Sequence, residues 1–242
     1  VTLAFLDLET TGLDRQFTED HCPILEAAIL LTDDNLVPFA ERSIVIEPRE
    51  DASGTRVVEF ADICEPEAFR MHTDNGLLAE IDERQPGDVD MAEEALLDFL
   101  APLITVLPED SMIPLVGFGV GRFDVPLLAR WMPDLLARFH YRTLDVRTLT
   151  EVTRRWADFG GAPTERKAHR ALADCHDARN VLAWWRDRYM PPAGAPEPPA
   201  PHQTGLADAP ASGNARVPFW DSELSPLPPK WSEPLIQPGG TA

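Results

Sequence analysis

Residues 5–14 read FLDLETTGLD. They belong to a strand-like run over residues 2–9, in which side chains alternate between two faces. Val1, Leu3, Phe5, Asp7 and Glu9 share one face, so two carboxylates stand where the alternation calls for apolar side chains. At strand spacing their backbones lie roughly 6–7 Å apart. Buried like charges repel and shift each other's pKa. Two readings fit: the strand end opens to water and wets both acids, or a cation stands beside them.

Two more strands follow. Residues 24–31 are one, Asp33-Asp34-Asn35 is turn chemistry, and residues 37–46 are the next. Short turns between the three predict an antiparallel meander. Residues 49–66 read as an acidic loop. Helical patterns cover 74–83 and 90–104, a short buried strand 112–117, and a helix 123–131. Residues 141–144 form another strand, Asp145 is an N-cap for a helix over 146–156, and a last helix runs over 170–189. Paired strands followed by strands alternating with helices predict an α/β fold with a mixed sheet.

Acids recur on apolar faces. In GFGVGRFDVPLLARW (117–131), Leu127, Leu128 and Trp131 make a helical stripe and Asp124 falls on it. With Pro126 in the first turn, Asp124 reads either as a ligand or as a first-turn acid favoured by the helix dipole. In HRALADCHDARNVLAWW (169–185), Asp174 lies within the stripe of Ala171, Cys175, Ala178, Val181 and Leu182, with His169 just upstream. A buried Asp needs a metal, a partner or backbone donors. His176 and Asp177 fall off the stripe and read as solvated, as does His21. Glu26 lies between apolar strand residues, as a support for the acids or as an exposed strand acid.

Asp7, Glu9, Asp124 and Asp174 together offer hard oxygen ligands without a cysteine, a set suited to Mg²⁺ or Mn²⁺. Two such ions ~4 Å apart clamp a phosphodiester and activate water. His169, with a histidine's ordinary pKa, suits a general base for that water.

These motifs resemble the DEDDh branch of the DEDD superfamily of 3′→5′ exonucleases. Asp7-Leu8-Glu9 matches its first motif, Phe123-Asp124 its second, and His169 to Asp174 its third, His-x4-Asp. Within that branch MPDLLARFHYRTLDVRTLTEVTRRW (132–156) and MHTDNGL (71–77) are similar to oligoribonuclease. The resemblance implies a ribonuclease-H-like domain over 1–190 that uses Mg²⁺ or Mn²⁺, two ions, to release 5′-mononucleotides from single-stranded RNA or DNA 3′ ends. It implies metal ligation by Asp7, Glu9, Asp124 and Asp174, with His169 as base. Thr10, Thr11, Leu13 and His72 would contact the terminal nucleotide, and Tyr141 would reach it from the partner subunit of a homodimer. Thr10 stands where oligoribonuclease has Met, Asp74 stands where it has Ser, and Arg122-Phe123-Asp124 is nearer the proofreading exonucleases. A DNA-directed proofreading or repair enzyme is therefore the alternative, and a non-catalytic nucleic-acid-binding module a further one.

Composition fits a cytoplasmic, non-membrane protein. Net charge is −20 over 242 residues, against the habit of general duplex-DNA binders. Cys22, Cys64 and Cys175 have no metal-ligand spacing and imply no disulfide framework, which points to a reducing compartment. No signal peptide and no membrane-length apolar run is expected. Residues 191–242 hold 13 of the 24 prolines and read as a flexible tail, in which Val217-Pro218-Phe219-Trp220 and Pro234-Leu235-Ile236 could dock a protein partner. Gly117, Gly119 and Gly121 read as a strand-to-helix turn that admits substrate backbone rather than a dinucleotide cradle. Trp184-Trp185 reads as core or dimer contact.

Overall fold

The computed structural model describes residues 2–13, 22–48, 59–107, 112–156 and 168–190. Five strands form one sheet in the order β3-β2-β1-β4-β5. The expected meander is there: β1 (Leu3–Thr10) pairs antiparallel with β2 (Ile24–Thr32), and β2 with β3 (Pro38–Val45). β4 (Ile113–Gly117) joins β1 in parallel and β5 (Phe139–Asp145) joins β4 in parallel. Parallel pairing needs crossovers, and helices supply them. The sheet is therefore mixed and covered on both faces.

Alternation along β1 divides the core. Ala4, Leu6 and Leu8 pack with Ile29 and Leu31 of β2 beneath α4 (Val89–Ile104) and α5 (Asp124–Trp131). Phe5 packs on the other face with Leu30 and Val116 beneath α7 (Val146–Trp156) and α8 (Ala171–Tyr189). Asp7 and Glu9 continue the Phe5 row. β2 is buried along its whole length, as a strand covered on both faces must be.

Local signals set the helix ends. Asp88 accepts from the backbone N–H of Asp90 and Met91 at the start of α4. Asp145 accepts from Arg147 N–H and, across the sheet end, from Gly119 N–H, as its N-cap reading requires. Trp185 Nε1 donates to Thr153 Oγ1 at 2.8 Å, joining α8 to α7. That contact agrees with the core alternative for this tryptophan.

Two expectations need correction. The stretch over 49–66 is not all loop. Residues 49–58 lie outside the described residues, but α1 (Phe60–Ile63) follows, and α2 (Pro66–Asp74) starts with its proline in the first turn. The helix expected over 74–83 starts later, because Asp74 is the last residue of the preceding α2. Asn75 closes α2, and Gly76, at φ 81°, turns the chain into α3 (Leu77–Arg84). After Trp131, where the sequence pattern assigns no element, a short helix follows, α6 (Pro133–Leu136). The Pro-rich stretch 191–242, with its two apolar patches, and His21 lie outside the described residues. Among the described residues no helix is long and apolar enough to cross a membrane.

Gly117 sits where β4 meets β1. A Cβ there would stand 2.7 Å from the Leu6 carbonyl oxygen, so this glycine lets β4 approach the chain's own backbone closely. Gly119, at φ 75°, supplies the left-handed turn that follows. Gly117→Ala is expected to lower stability by about 1–3 kcal/mol in urea denaturation; an unchanged midpoint would contradict this packing.

Candidate active site

A cleft of about 880 Å³ opens at the end of β1. Asp7, Glu9, Asp124, His169 and Asp174 all line it, so three segments far apart in the sequence deliver their acids to one place. Glu9, His169 and Asp174 come nearest to one another, each offering a ligand atom within 4.8 Å of the others'. Asp7 stands on the same strand face. Asp124 enters from the first turn of α5, and its Oδ1 accepts from Leu8 N–H at 3.1 Å, which ties α5 to β1.

The acids are held where ionisation is unfavourable. Burial, then the Asp174 and Glu26 carboxylates, push Glu9 up to about 8. Burial pushes Asp124 up to about 8 against two backbone hydrogen bonds that favour its charge. Burial, then Asp124, Glu9 and Asp174, hold Asp7 well above the ordinary range. Among the described residues no lysine or arginine pairs with Asp7, Glu9 or Asp124. Crowded oxygen donors of this kind are a donor set that fits a hard divalent cation. The wet-strand-end reading fails for Glu9, which is 6% exposed.

His169 precedes α8 in a left-handed conformation, φ 49°. Such a backbone is unfavourable for a non-glycine residue by about 1–3 kcal/mol. Its carbonyl accepts from Asn75 Nδ2. Beside it, Arg170 turns away from the cleft and forks onto Glu26 at 3.0 and 3.3 Å. Glu26 is 2% exposed, so it is not an exposed strand acid.

The remaining predicted contacts divide. Thr10 and Leu13 line the cleft, Leu13 being 55% exposed. Thr10 Oγ1 donates to Gly12 O at 2.7 Å, and Glu65 N–H donates to Thr11 O at 2.7 Å, which fixes the loop. Thr11 itself is buried and does not line the cleft. His72 is fully buried beneath it. Its Nε2–H donates to Thr10 O at 2.9 Å, and burial keeps its pKa below the usual value. It does not line the cleft either. Tyr141 is 79% exposed on β5, stacked on His140, and also outside the cleft of its own chain. His176 is exposed as expected and meets Glu41 at 2.9 Å. Sequence reasoning passed over Phe118, Glu65 and Asn75, which line the cleft too. Asn75 lay inside the MHTDNGL stretch, and its place between two helices was the available signal.

No family model matches the sequence. Whole-sequence comparison finds clear relatives. The chain is 34% identical to the oligoribonuclease of Cutibacterium acnes over 198 residues, covering 81% of this chain and 89% of that one. It is 36% identical to that of Leifsonia xyli over 211 residues, covering 86% and 91%. It is 33% identical to that of Escherichia coli over 189 residues, covering 78% and 95%. Among solved structures, exonuclease I of Methylocaldum szegediense superposes with a TM-score of 0.53 at 21% identity, covering 78% of this chain and 41% of that one. E. coli exonuclease I with single-stranded DNA gives 0.52 at 18%, covering 79% and 41%. The chain thus spans about two fifths of these structures, and the likeness shows a shared fold, the ribonuclease-H-like mixed sheet with flanking helices.

A raised carboxyl pKa has a defined sign in stability. The folded chain holds protons on Glu9 and Asp124 up to about pH 8. The unfolded chain releases them near pH 4, so stability falls as pH rises through that window. Melting temperature in EDTA is expected to drop between pH 5 and pH 9, more steeply than in the Glu9→Gln/Asp124→Asn variant. Mn²⁺ should recover most at the alkaline end, where it no longer competes with protons. Equal slopes for the two proteins would rule out these acids as the source.

Proposed function

Since the chain belongs to the oligoribonuclease family, we propose that it hydrolyses short single-stranded RNA from the 3′ end and releases 5′-mononucleotides. The observation that supports this most directly is the meeting of Glu9, His169 and Asp174 within 4.8 Å, in a cleft that Asp7 and Asp124 also line.

Asp7, Glu9, Asp124 and Asp174 would hold Mg²⁺ or Mn²⁺, two ions in this reading. When bound, the ions supply charge neutralisation at the scissile phosphate and acidify water. His169 takes the proton of the attacking water, a role that contributes roughly 10²–10⁴-fold in rate. Attack at phosphorus breaks the bond to the 3′-oxygen of the penultimate nucleotide and leaves a new 3′-hydroxyl on the shortened chain. Leu13 offers an apolar surface for the terminal base, and the fixed Thr10–Gly12 backbone holds that surface in place. Tyr141, exposed and outside its own cleft, would serve the cleft of a second copy.

The test uses 5′-labelled RNA and DNA from dinucleotides to ~20-mers, with Mg²⁺, Mn²⁺ or EDTA, beside Asp174→Ala. Cation-dependent loss of the shortest RNAs is expected, reduced more than about 100-fold in the variant. A ladder mainly on long DNA would instead favour a DNA-directed exonuclease, and full activity in Asp174→Ala would refute the site.

A further inference from the structure

α8 begins without a cap of its own. The residue at its N-cap is Arg170, which makes no capping hydrogen bond. The first N–H of the helix, that of Ala171, instead donates to Glu26 Oε2 at 3.1 Å, from the middle strand of the meander. The same carboxylate takes Arg170 Nε at 3.0 Å and Nη2 at 3.3 Å, and Ser43 Oγ at 2.7 Å. Arg170 Nη2 also reaches Glu80 of α3 at 2.7 Å. Every position of the Glu26 carboxylate is engaged, and it grips both residues that follow His169. On the other side Asn75 Nδ2 donates to the His169 carbonyl, while Asn75 Oδ1 accepts from Leu77 N–H at 3.0 Å. The left-handed histidine is thus held at its own carbonyl by Asn75 and at the two residues that follow it by Glu26. Strain of that kind persists only where its surroundings impose it.

We propose that Glu26 is a positioning residue for the hydrolysis: through Arg170 and Ala171 N–H, and with Asn75 as the opposing clamp, it holds His169 on the attacking water. The proposal rests on His169 acting as the general base. Glu26 touches neither water nor substrate. Its removal frees Arg170 and the N–H of Ala171, so the imidazole drifts while Asp7, Glu9 and Asp124, carried by β1 and α5, keep their places. A misplacement of about 1 Å suffices to lose about 10²-fold in rate.

Single-turnover cleavage of an RNA dinucleotide in Mn²⁺, with enzyme in excess, separates the rate constant from half-saturation. Glu26→Ala, Glu26→Gln and Asn75→Ala are measured in the wild-type and His169→Ala backgrounds. Glu26→Ala is expected to lower the rate constant about 10- to 100-fold with half-saturation within about threefold. Glu26→Gln, which keeps an oxygen for Ala171 N–H, should lose less. On His169→Ala the Glu26→Ala change should add less than about twofold, since two residues acting through one group are not additive. Equal losses in both backgrounds would overturn the positioning role and leave the exonuclease reading standing. So would wild-type speed in Glu26→Ala. Wild-type speed in His169→Ala would overturn both. Should Glu26→Ala fail to melt cooperatively, Glu26→Gln and Asn75→Ala carry the same comparison.

Discussion

A slip of β1 by one residue would turn every side chain of the strand over. Leu6 and Leu8 would enter the cleft, and Asp7 and Glu9 would enter an apolar core. The register that prevents this is set from both sides, with Asp7 opposite Ala28, Glu9 opposite Glu26 and Ala4 beside Leu115. Two separate apolar clusters, one on each face of the sheet, make any other register unfavourable. The acid site therefore inherits its geometry from hydrophobic packing several residues away. The Asp124 bond to Leu8 N–H and the contact of Gly117 with the Leu6 carbonyl add fixed points along the same strand.

The site's electrostatics follow from what is kept out of it. Arg170 adjoins His169 in sequence, yet its charge is spent on Glu26 and Glu80. It lowers the Glu9 pKa only partly, against the combined push of burial, Asp174 and Glu26. A guanidinium turned into the cleft would satisfy the carboxylates permanently and leave nothing for a cation to do. Crowding buried carboxylates at one end of the sheet destabilises the fold locally, a liability commonly found at functional sites.

Much of this was legible in the sequence, because the pattern and the exceptions to it were both strong. Period-two alternation located the meander, and Asp7, Glu9, Asp124 and Asp174 were visible as acids on apolar stripes. α1 and α2 were missed because the stretch is polar: α2 buries only Ala68 and His72, too little for a clear stripe. The split at Gly76 depends on one backbone angle, and α6 is four residues long. The pairing of Glu26 with Arg170 joins positions 144 apart, and no periodicity records such a contact. The bond from His72 to the Thr10 carbonyl joins positions 62 apart and likewise leaves no trace in the periodicity.

The acids come from β1, α5 and α8, the first and last described elements among them. β1 cannot join β4 until more than a hundred residues have been made, and parallel pairing across such a span is slow to form. A ribosome emits the chain from its N-terminus at about 5–20 residues per second. Asp7 and Glu9 are therefore outside for several seconds before Asp174 exists. During that interval no folding intermediate carries the whole acid set, and the nascent chain, emerging beside the message that encodes it, has no complete acid cleft until α8 docks.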